Sequence, residues 1–384
     1  MPEIHGHCAA GFESVREAFA KNFADGEVGA ACCVHRGGEV VVDLWGGLAD
    51  RESGRPWQRD TPVLVFSSTK GLTAIVVHRL LERGELELDA PVARHWPEFA
   101  ARGKGGITLR DVLCHRAGLA AVDGELSLDE VLAWHPVCAA LAAQAPNWEP
   151  GSAHGYHARS YGWILGEVVR RVTGESLGRV FAEEVARPLG LDCWIGLPEA
   201  EAARVATVYG PPEPSDPEAI ARRDRFMGPD TLLGRVLSGP SNLFSYGDMW
   251  NRPELRAAEM PSSNGIATAR ALSRCYAATL AELDGVRLLA PETLAAATEC
   301  QVDGPDKVLH VPTRFALGFA LPPMLGETCP EGSFGHPGSG GSLGFADSAH
   351  ELAFGYAMNQ MRTGINGDPR AARLVDAVYA CLDG

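Results

Sequence analysis

Strand patterning is confined to the two ends of this chain, and that constrains its fold more than any other feature. Near the N-terminus, residues 29–35 and 39–45 are runs of strand length joined at Gly37-Gly38, the signature of a tight hairpin. Near the C-terminus, 315–321, 332–346 and 352–359 are three further runs punctuated by glycine. Between Leu72 and about Leu283 the apolar residues recur mostly at helical spacing. Amphipathic helices are expected at 11–24, through Phe12, Val15, Phe19 and Phe23, and at 369–382, through Leu374, Val375, Val378 and Tyr379. Terminal strands around a helical insertion predict one sheet built from both chain ends, flanked by helices: an α/β (α+β) fold with an inserted helical lobe. The expected division sets 1–75 and 262–384 against 76–261, with a site at the seam.

Within the insertion, 72–83 is apolar on nearly all sides and stops at Gly84, which predicts a buried helix. Thr108 and Asp111 open a short helix, Pro136 divides 127–141, and Gly174 closes 161–172. Residues 181–186 continue this region before Pro188. The stretch 211–261 differs: it is rich in Pro, Gly, Asp, Ser and Arg, yet carries Phe226, Met227, Leu232, Leu233, Phe244, Tyr246 and Trp250. A long irregular segment of this kind reads either as a binding loop or lid, or as a surface excursion with its own apolar cluster.

The chemistry begins where Val63-Leu64-Val65-Phe66, an apolar run that reads as a strand, gives way to the first buried helix, at Ser67-Ser68-Thr69-Lys70. A helix starting near Ser67 puts Ser67 and Lys70 on one face, one turn apart, where an amine can take a proton from a hydroxyl. Lys70 is one of only four lysines among 34 basic residues. Arginine stays protonated, whereas a buried ammonium can be pushed toward neutrality, and the helix N-terminus pushes the same way. Tyr156, after Trp148-Glu149-Pro150-Gly151 and before the helix at 161–172, is placed to hold a phenol against Ser67, and a phenolate stabilised by an ammonium is a competent general base. Gly335-His336-Pro337-Gly338-Ser339-Gly340-Gly341 lies between strand runs, and glycines this dense allow close backbone approach. The N–H groups of Ser67 and Ser339 would then form an oxyanion hole, with His336 and Gly338 beside the substrate. His336 is expected to hydrogen-bond Tyr156 or a substrate carbonyl. Gly340-Gly341-Ser342-Leu343-Gly344 matches the G-x-S-x-G nucleophile elbow, but no helix is expected after Ser342, so Ser67 is preferred.

Composition removes whole classes of function. With 384 residues, 46% hydrophobic and 22% charged, the chain can bury a large core. A net charge of −15 argues against nucleic acid or an anionic membrane as partner. No apolar run reaches spanning length, and the first residues lack the basic and apolar regions of a signal peptide. The ten cysteines are scattered, with Cys32-Cys33 vicinal and no Cys-x-x-Cys, so neither a metal site nor a disulfide framework is suggested. Free thiols are expected, and with them a cytoplasmic location.

Together these motifs resemble the serine β-lactamase and penicillin-binding-protein superfamily, and most closely its branch of class C β-lactamases and family VIII carboxylesterases. The resemblance covers about 12–382. Ser67-Ser68-Thr69-Lys70 matches the family's S-x-x-K, which implies Ser67 as nucleophile and Lys70 as its proton partner. Tyr156-His157-Ala158 stands where the family has Tyr-x-Asn, and His336-Pro337-Gly338 where lactamases have Lys-Thr-Gly. His115-Arg116-Ala117-Gly118-Leu119 resembles the structural His-Thr-Ser-Gly-Leu. Ala158 replaces an asparagine that helps hold a β-lactam amide, and His336 a lysine that helps bind the drug's carboxylate. The resemblance therefore implies a cofactor-free esterase for short-chain, neutral esters. Its alternatives are a β-lactamase, amidase or D-amino-acid peptidase, an acyltransferase using the same acyl-enzyme, or a binding protein on a degenerate hydrolase fold. The sequence leaves monomer and dimer both open.

Overall fold

The computed structural model describes residues 2–212, 216–363 and 367–382. The principal sheet runs β1 (Ile4–Cys8), β2 (Gly29–Arg36) and β3 (Glu39–Asp50) from the N-terminal end, with β4 (Ser333–Pro337), β5 (Leu343–Asp347) and β6 (Leu352–Met358) from the other. The spatial order is β1-β3-β2-β6-β5-β4, antiparallel throughout, with the short strand Arg55–Pro56 also paired to β3. Gly37 and Gly38, at φ 56° and 85°, make the β2–β3 turn, since successive positive φ values match the strands' twist. The two chain ends meet where β2 pairs with β6, Cys33 opposite Gly355.

Strand β6 shows how period-2 sequence sets the layers. Leu352, Phe354, Tyr356 and Met358 face one side and join a core with Phe12, Val15 and Phe19 of α1 (Glu13–Ala24) and with Leu374, Val375 and Val378 of the C-terminal helix Pro369–Ala380. Ala353, Gly355 and Ala357 face the other side, where the helix Ala269–Leu280 docks. The docking is close: a Cβ on Gly355 would lie 2.1 Å from the Ala269 carbonyl oxygen, and one on Gly344 2.8 Å from the Tyr276 ring. Beyond that helix, the same apolar core runs without a break into α2 (Thr69–Glu82) and α3 (Ser160–Thr173). Helix α2 is buried on almost every side and ends at Gly84, φ 69°. Thr108 and Asp111 form a reciprocal cap, and Gly174 closes α3 in the left-handed region.

Several elements differ from the sequence expectation. Strand β1 was not anticipated, because its Ile4-His5-Gly6-His7-Cys8 has no alternating apolar face. Only Val63–Leu64 of the apolar run before Ser67 is strand; it pairs with Ile266–Ala267, which also pairs with Cys193–Trp194. The run at 315–321 is mostly not strand: Pro312–Phe315 pairs with Val302–Pro305, and Gly318 at φ 90° then turns the chain. The break in 127–141 falls at Trp134, φ 70°, before Pro136, and helix continues through Pro188. The 211–261 stretch, whose residues 213–215 lie outside the described ones, contains short helices at Pro217–Met227, Leu232–Ser238 and Pro253–Ala257. Proline at the first helical position and the Thr231 cap start them, signals that the overall composition masks. Leu233, Phe244, Trp250 and Leu255 are buried there, whereas Phe226 and Met227 are exposed.

A fully buried Arg370 staples the C-terminal helix to the sheet, donating to Glu27, to Asp368 and to the carbonyls of Gly340 and Gln360. Arg370→Met leaves two carboxylates without their cation and is expected to cost about 3 to 5 kcal/mol. Urea unfolding followed by circular dichroism measures this; a loss below about 1 kcal/mol, the range of a surface pair, would contradict it.

Candidate active site

Ser67 sits in a single 3₁₀ turn, Phe66–Ser68, that runs straight into α2. Phe66 has φ 45°, a costly conformation for a residue with a Cβ, and its surroundings hold it there. Its ring packs on Tyr246 and, edge-on, on Trp250, while Val65 N–H donates to Gly265 O at 2.8 Å. The turn is thus pinned from both sides, with Ser67 at its tip.

Lys70, one helical turn on, is fully buried. Its Nζ donates to Ala158 O at 2.7 Å and to Ser262 O at 2.9 Å, and lies 3.2 Å from Ser67 Oγ. Among the described residues no carboxylate pairs with it. Burial, with the Arg159 guanidinium second, holds the amine well below lysine's ordinary value. A neutral amine has two N–H groups and one lone pair; with both N–H groups committed to carbonyls, the lone pair is left for Ser67.

Tyr156 comes from the loop before α3. Its N–H donates to the buried Asp306 carboxylate at 3.1 Å, and its ring stacks parallel to Phe315 at 6.1 Å. Lys70 Nζ lies 4.8 Å from that ring's centre. Burial raises the phenol above tyrosine's usual value, with the nearby Ser67 hydroxyl opposing. The proton therefore stays on Tyr156 while Lys70 is the depressed partner, opposite to a phenolate beside an ammonium.

His336, on β4, is buried with Nδ1 2.7 Å from its neighbour Pro337 O. A carbonyl only accepts, so Nδ1 carries the proton and Nε2, which has no partner, is an acceptor. Burial and Lys70 push the ring down to about 3. In this state His336 cannot donate to a substrate carbonyl. It also makes no hydrogen bond to Tyr156, whose ring centre is 5.9 Å away. Gly338 abuts the Ser67 turn: a Cβ there would lie 2.2 Å from Val65 O and 2.1 Å from Ser342 Oγ. Ser339 follows, its N–H donating to no acceptor among the described residues and its Oγ 3.4 Å from Tyr246 Oη. Ser342 is a strut, donating to Val65 O at 2.7 Å from the start of strand β5, with no helix after it.

Sequence reasoning missed Asp306, Ser262 and Arg159. Asp306 takes N–H donations from Tyr156, Val308 and Leu309, an anchor that distance in sequence conceals. Ser262 meets Lys70 through its carbonyl, which leaves no residue-type signature. His115 and His157 support the floor: His157 N–H donates to His115 Nδ1, and Leu119 N–H to His157 Nε2.

This geometry can be set beside known proteins. A family model described as beta-lactamase matches residues 15–378. The chain belongs to the beta-lactamase family. It is similar to the esterase/beta-lactamase LipL of Mycobacterium tuberculosis, 38% identical over 93% of this chain and 83% of that protein. It is also similar to esterase EstB of Burkholderia gladioli, 32% identical over 92% and 91% of the two chains. Among solved structures, a family VIII carboxylesterase superposes with a TM-score of 0.89 at 42% identity, covering 99% of this chain and 100% of that one. A penicillin-binding protein homologue from Caulobacter crescentus does so at 0.87 and 39%, with the same coverage.

Gly338→Ala has no room against Val65 O, so it should spread β4 from the Ser67 turn and lower ester turnover at least tenfold, about 1.4 kcal/mol in the barrier. Ser342→Ala should keep turnover within a few-fold while losing about 1 kcal/mol of stability with its buried hydrogen bond. Steady-state kinetics and thermal melting of the two variants check both, and loss of turnover in Ser342→Ala would overturn the nucleophile assignment.

Proposed function

We propose that this protein is a serine carboxylesterase acting on short-chain esters through an acyl-enzyme on Ser67. The observation that carries the reading is a buried Lys70 amine tethered to two carbonyls, with Ser67 Oγ 3.2 Å from its Nζ. Lys70 takes the Ser67 proton as Oγ bonds to the ester carbon, and the N–H groups of Ser67 and Ser339 hold the oxyanion. As the carbon–oxygen bond to the alcohol breaks, Tyr156 gives its proton to the leaving oxygen and recovers one from the Lys70 ammonium. Water then repeats the sequence, losing a proton to Lys70 as it attacks the acyl carbon and releasing Ser67 protonated.

An esterase is favoured over an amide-directed enzyme by Ala158, which offers only its carbonyl and that to Lys70, and by His336, which is uncharged. Similarity to proteins named as esterases points the same way. We read the chain as the lobe 1–75 with 262–384 and the lobe 76–261, since the site draws on the start of α2, the Tyr156 loop, Ser262 and β4. Cytoplasmic residence is supported by ten free cysteines, and among the described residues no helix is long and apolar enough to cross a membrane.

Ser67→Ala should abolish hydrolysis of p-nitrophenyl butyrate, and mass spectrometry should find the acyl group on Ser67 of the native enzyme. Activity should rise with pH as Lys70 loses its proton, with the midpoint well below the ordinary lysine value of about 10.4. A limb at or above that value, or retained turnover in Ser67→Ala, would reject the mechanism. Nitrocefin turnover matching ester turnover would favour the β-lactamase alternative.

A further inference from the structure

Tyr246 belongs to the 211–261 stretch, yet it meets both walls of the Ser67 site. Its ring packs on Phe66, the residue before Ser67, with ring centres 5.8 Å apart. Its Oη lies 3.4 Å from Ser339 Oγ. Ser339 is itself fixed beside Ser67, because Gly338 before it touches the turn on both sides. A Cβ on Gly338 would lie 2.2 Å from Val65 O and 3.1 Å from Ser68 Oγ. The Tyr246 side chain therefore bridges the end of β4 and the Ser67 turn, and its loop is held in place. Trp250, which is buried, donates its indole N–H to Ser245 O at 2.7 Å and sets its ring edge-on against Phe66 at 5.4 Å. Gly210 packs on the same loop, since a Cβ there would lie 3.1 Å from Tyr246 O. Phe66, Lys70, Tyr156 and His336 are buried, whereas Ser67, Pro337, Gly338, Ser339 and Tyr246 are partly exposed. Of these five, Tyr246 has the largest side chain.

We propose that Tyr246 is a specificity-determining residue, whose ring stands in the path of the acyl chain carried on Ser67 and limits that chain's length. The inference rests on the acyl-enzyme reading given above, in which the Ser67 and Ser339 N–H groups hold the ester carbonyl oxygen. Two phenols stand at the two ends of the run from His336 to Ser339. Tyr156 lies against His336, with ring centres 5.9 Å apart, and Tyr246 lies against Ser339. In that reading Tyr156 protonates the leaving alcohol, so the alcohol departs at the His336 end. The acyl chain then runs toward the Ser339 end, where it meets Tyr246. The ring offers an apolar face to the first carbons of the chain, and its braced loop does not yield to longer ones. Tyrosine suits a rim of this kind because its body is apolar while its hydroxyl finds a polar partner, here Ser339.

The test is kcat/KM for p-nitrophenyl acetate, butyrate and octanoate in the native enzyme and in Tyr246→Ala, Tyr246→Phe and Tyr246→Trp. Near-ultraviolet circular dichroism verifies that each variant is folded. Tyr246→Ala should raise the octanoate-to-butyrate ratio about tenfold, the low end of what a single methylene is worth in an apolar pocket. Tyr246→Phe keeps the ring and should leave that ratio where it is. Tyr246→Trp should lower butyrate relative to acetate. A second series lengthens the alcohol instead, with ethyl, butyl and octyl butyrate followed by acid release, and its ratios should not respond to Tyr246→Ala. An unmoved octanoate-to-butyrate ratio in folded Tyr246→Ala overturns the proposal. So does an equal shift in Tyr246→Phe or in the alcohol series. Should the Ala variant fail to fold, the Trp variant decides alone: a lowered butyrate-to-acetate ratio supports the proposal and an unchanged one rejects it. Hydrolysis surviving Ser67→Ala would reject the underlying reading, whereas unmoved acyl ratios with an inert Ser67→Ala reject only the role of Tyr246.

Discussion

Lys70 Nζ has three neighbours that matter, two carbonyl oxygens and one hydroxyl, and much of the structure serves to keep it so. Burying an amine is costly when it is charged and tolerable when it is neutral and its N–H groups are satisfied. The Ala158 and Ser262 carbonyls satisfy them, and they come from stretches of chain far apart in sequence. Helix α2 must therefore be buried on almost every side, and α3 and the chain before Ile266–Ala267 must both close on it. Its sequence, apolar around nearly the whole circumference, is the local imprint of that demand.

The sheet contributes by bringing its small-residue face against one helix. Because Gly344, Ala353, Gly355 and Ala357 leave no side-chain layer there, the helix Ala269–Leu280 lies on the backbone, and β4 and β5 are held at a set height beside it. Gly338 then meets the Val65 carbonyl at van der Waals range, and Ser339 follows it beside the Ser67 turn. From the C-terminal helix, Arg370 reaches the Gly340 carbonyl and braces the turn that follows β4. The substrate end of the strand is thus gripped from two directions by contacts distant in sequence.

What could be read from the sequence was whatever repeats or is marked by residue type. The two-ended sheet showed in strand runs at either terminus and the buried helix in its apolar circumference, while the candidates Ser67 and Lys70 stood out by a rare lysine one turn from a serine and Tyr156 by its place before a helix. Backbone-mediated features were invisible. Ser262 acts through a carbonyl any residue possesses, and β1 is polar because it lies at the sheet edge. The tautomer of His336 depends on the position of one carbonyl, so its identity as an acceptor required coordinates. The short helices of 211–261 were hidden by Pro and Gly counts that signal loops on average and helix ends in particular.

The amine is held by main-chain oxygens rather than by side chains, and this separates two kinds of change. A substitution at position 158 that spares the backbone leaves the Lys70 tether in place. Selection can then vary that side chain without first dismantling what holds the amine.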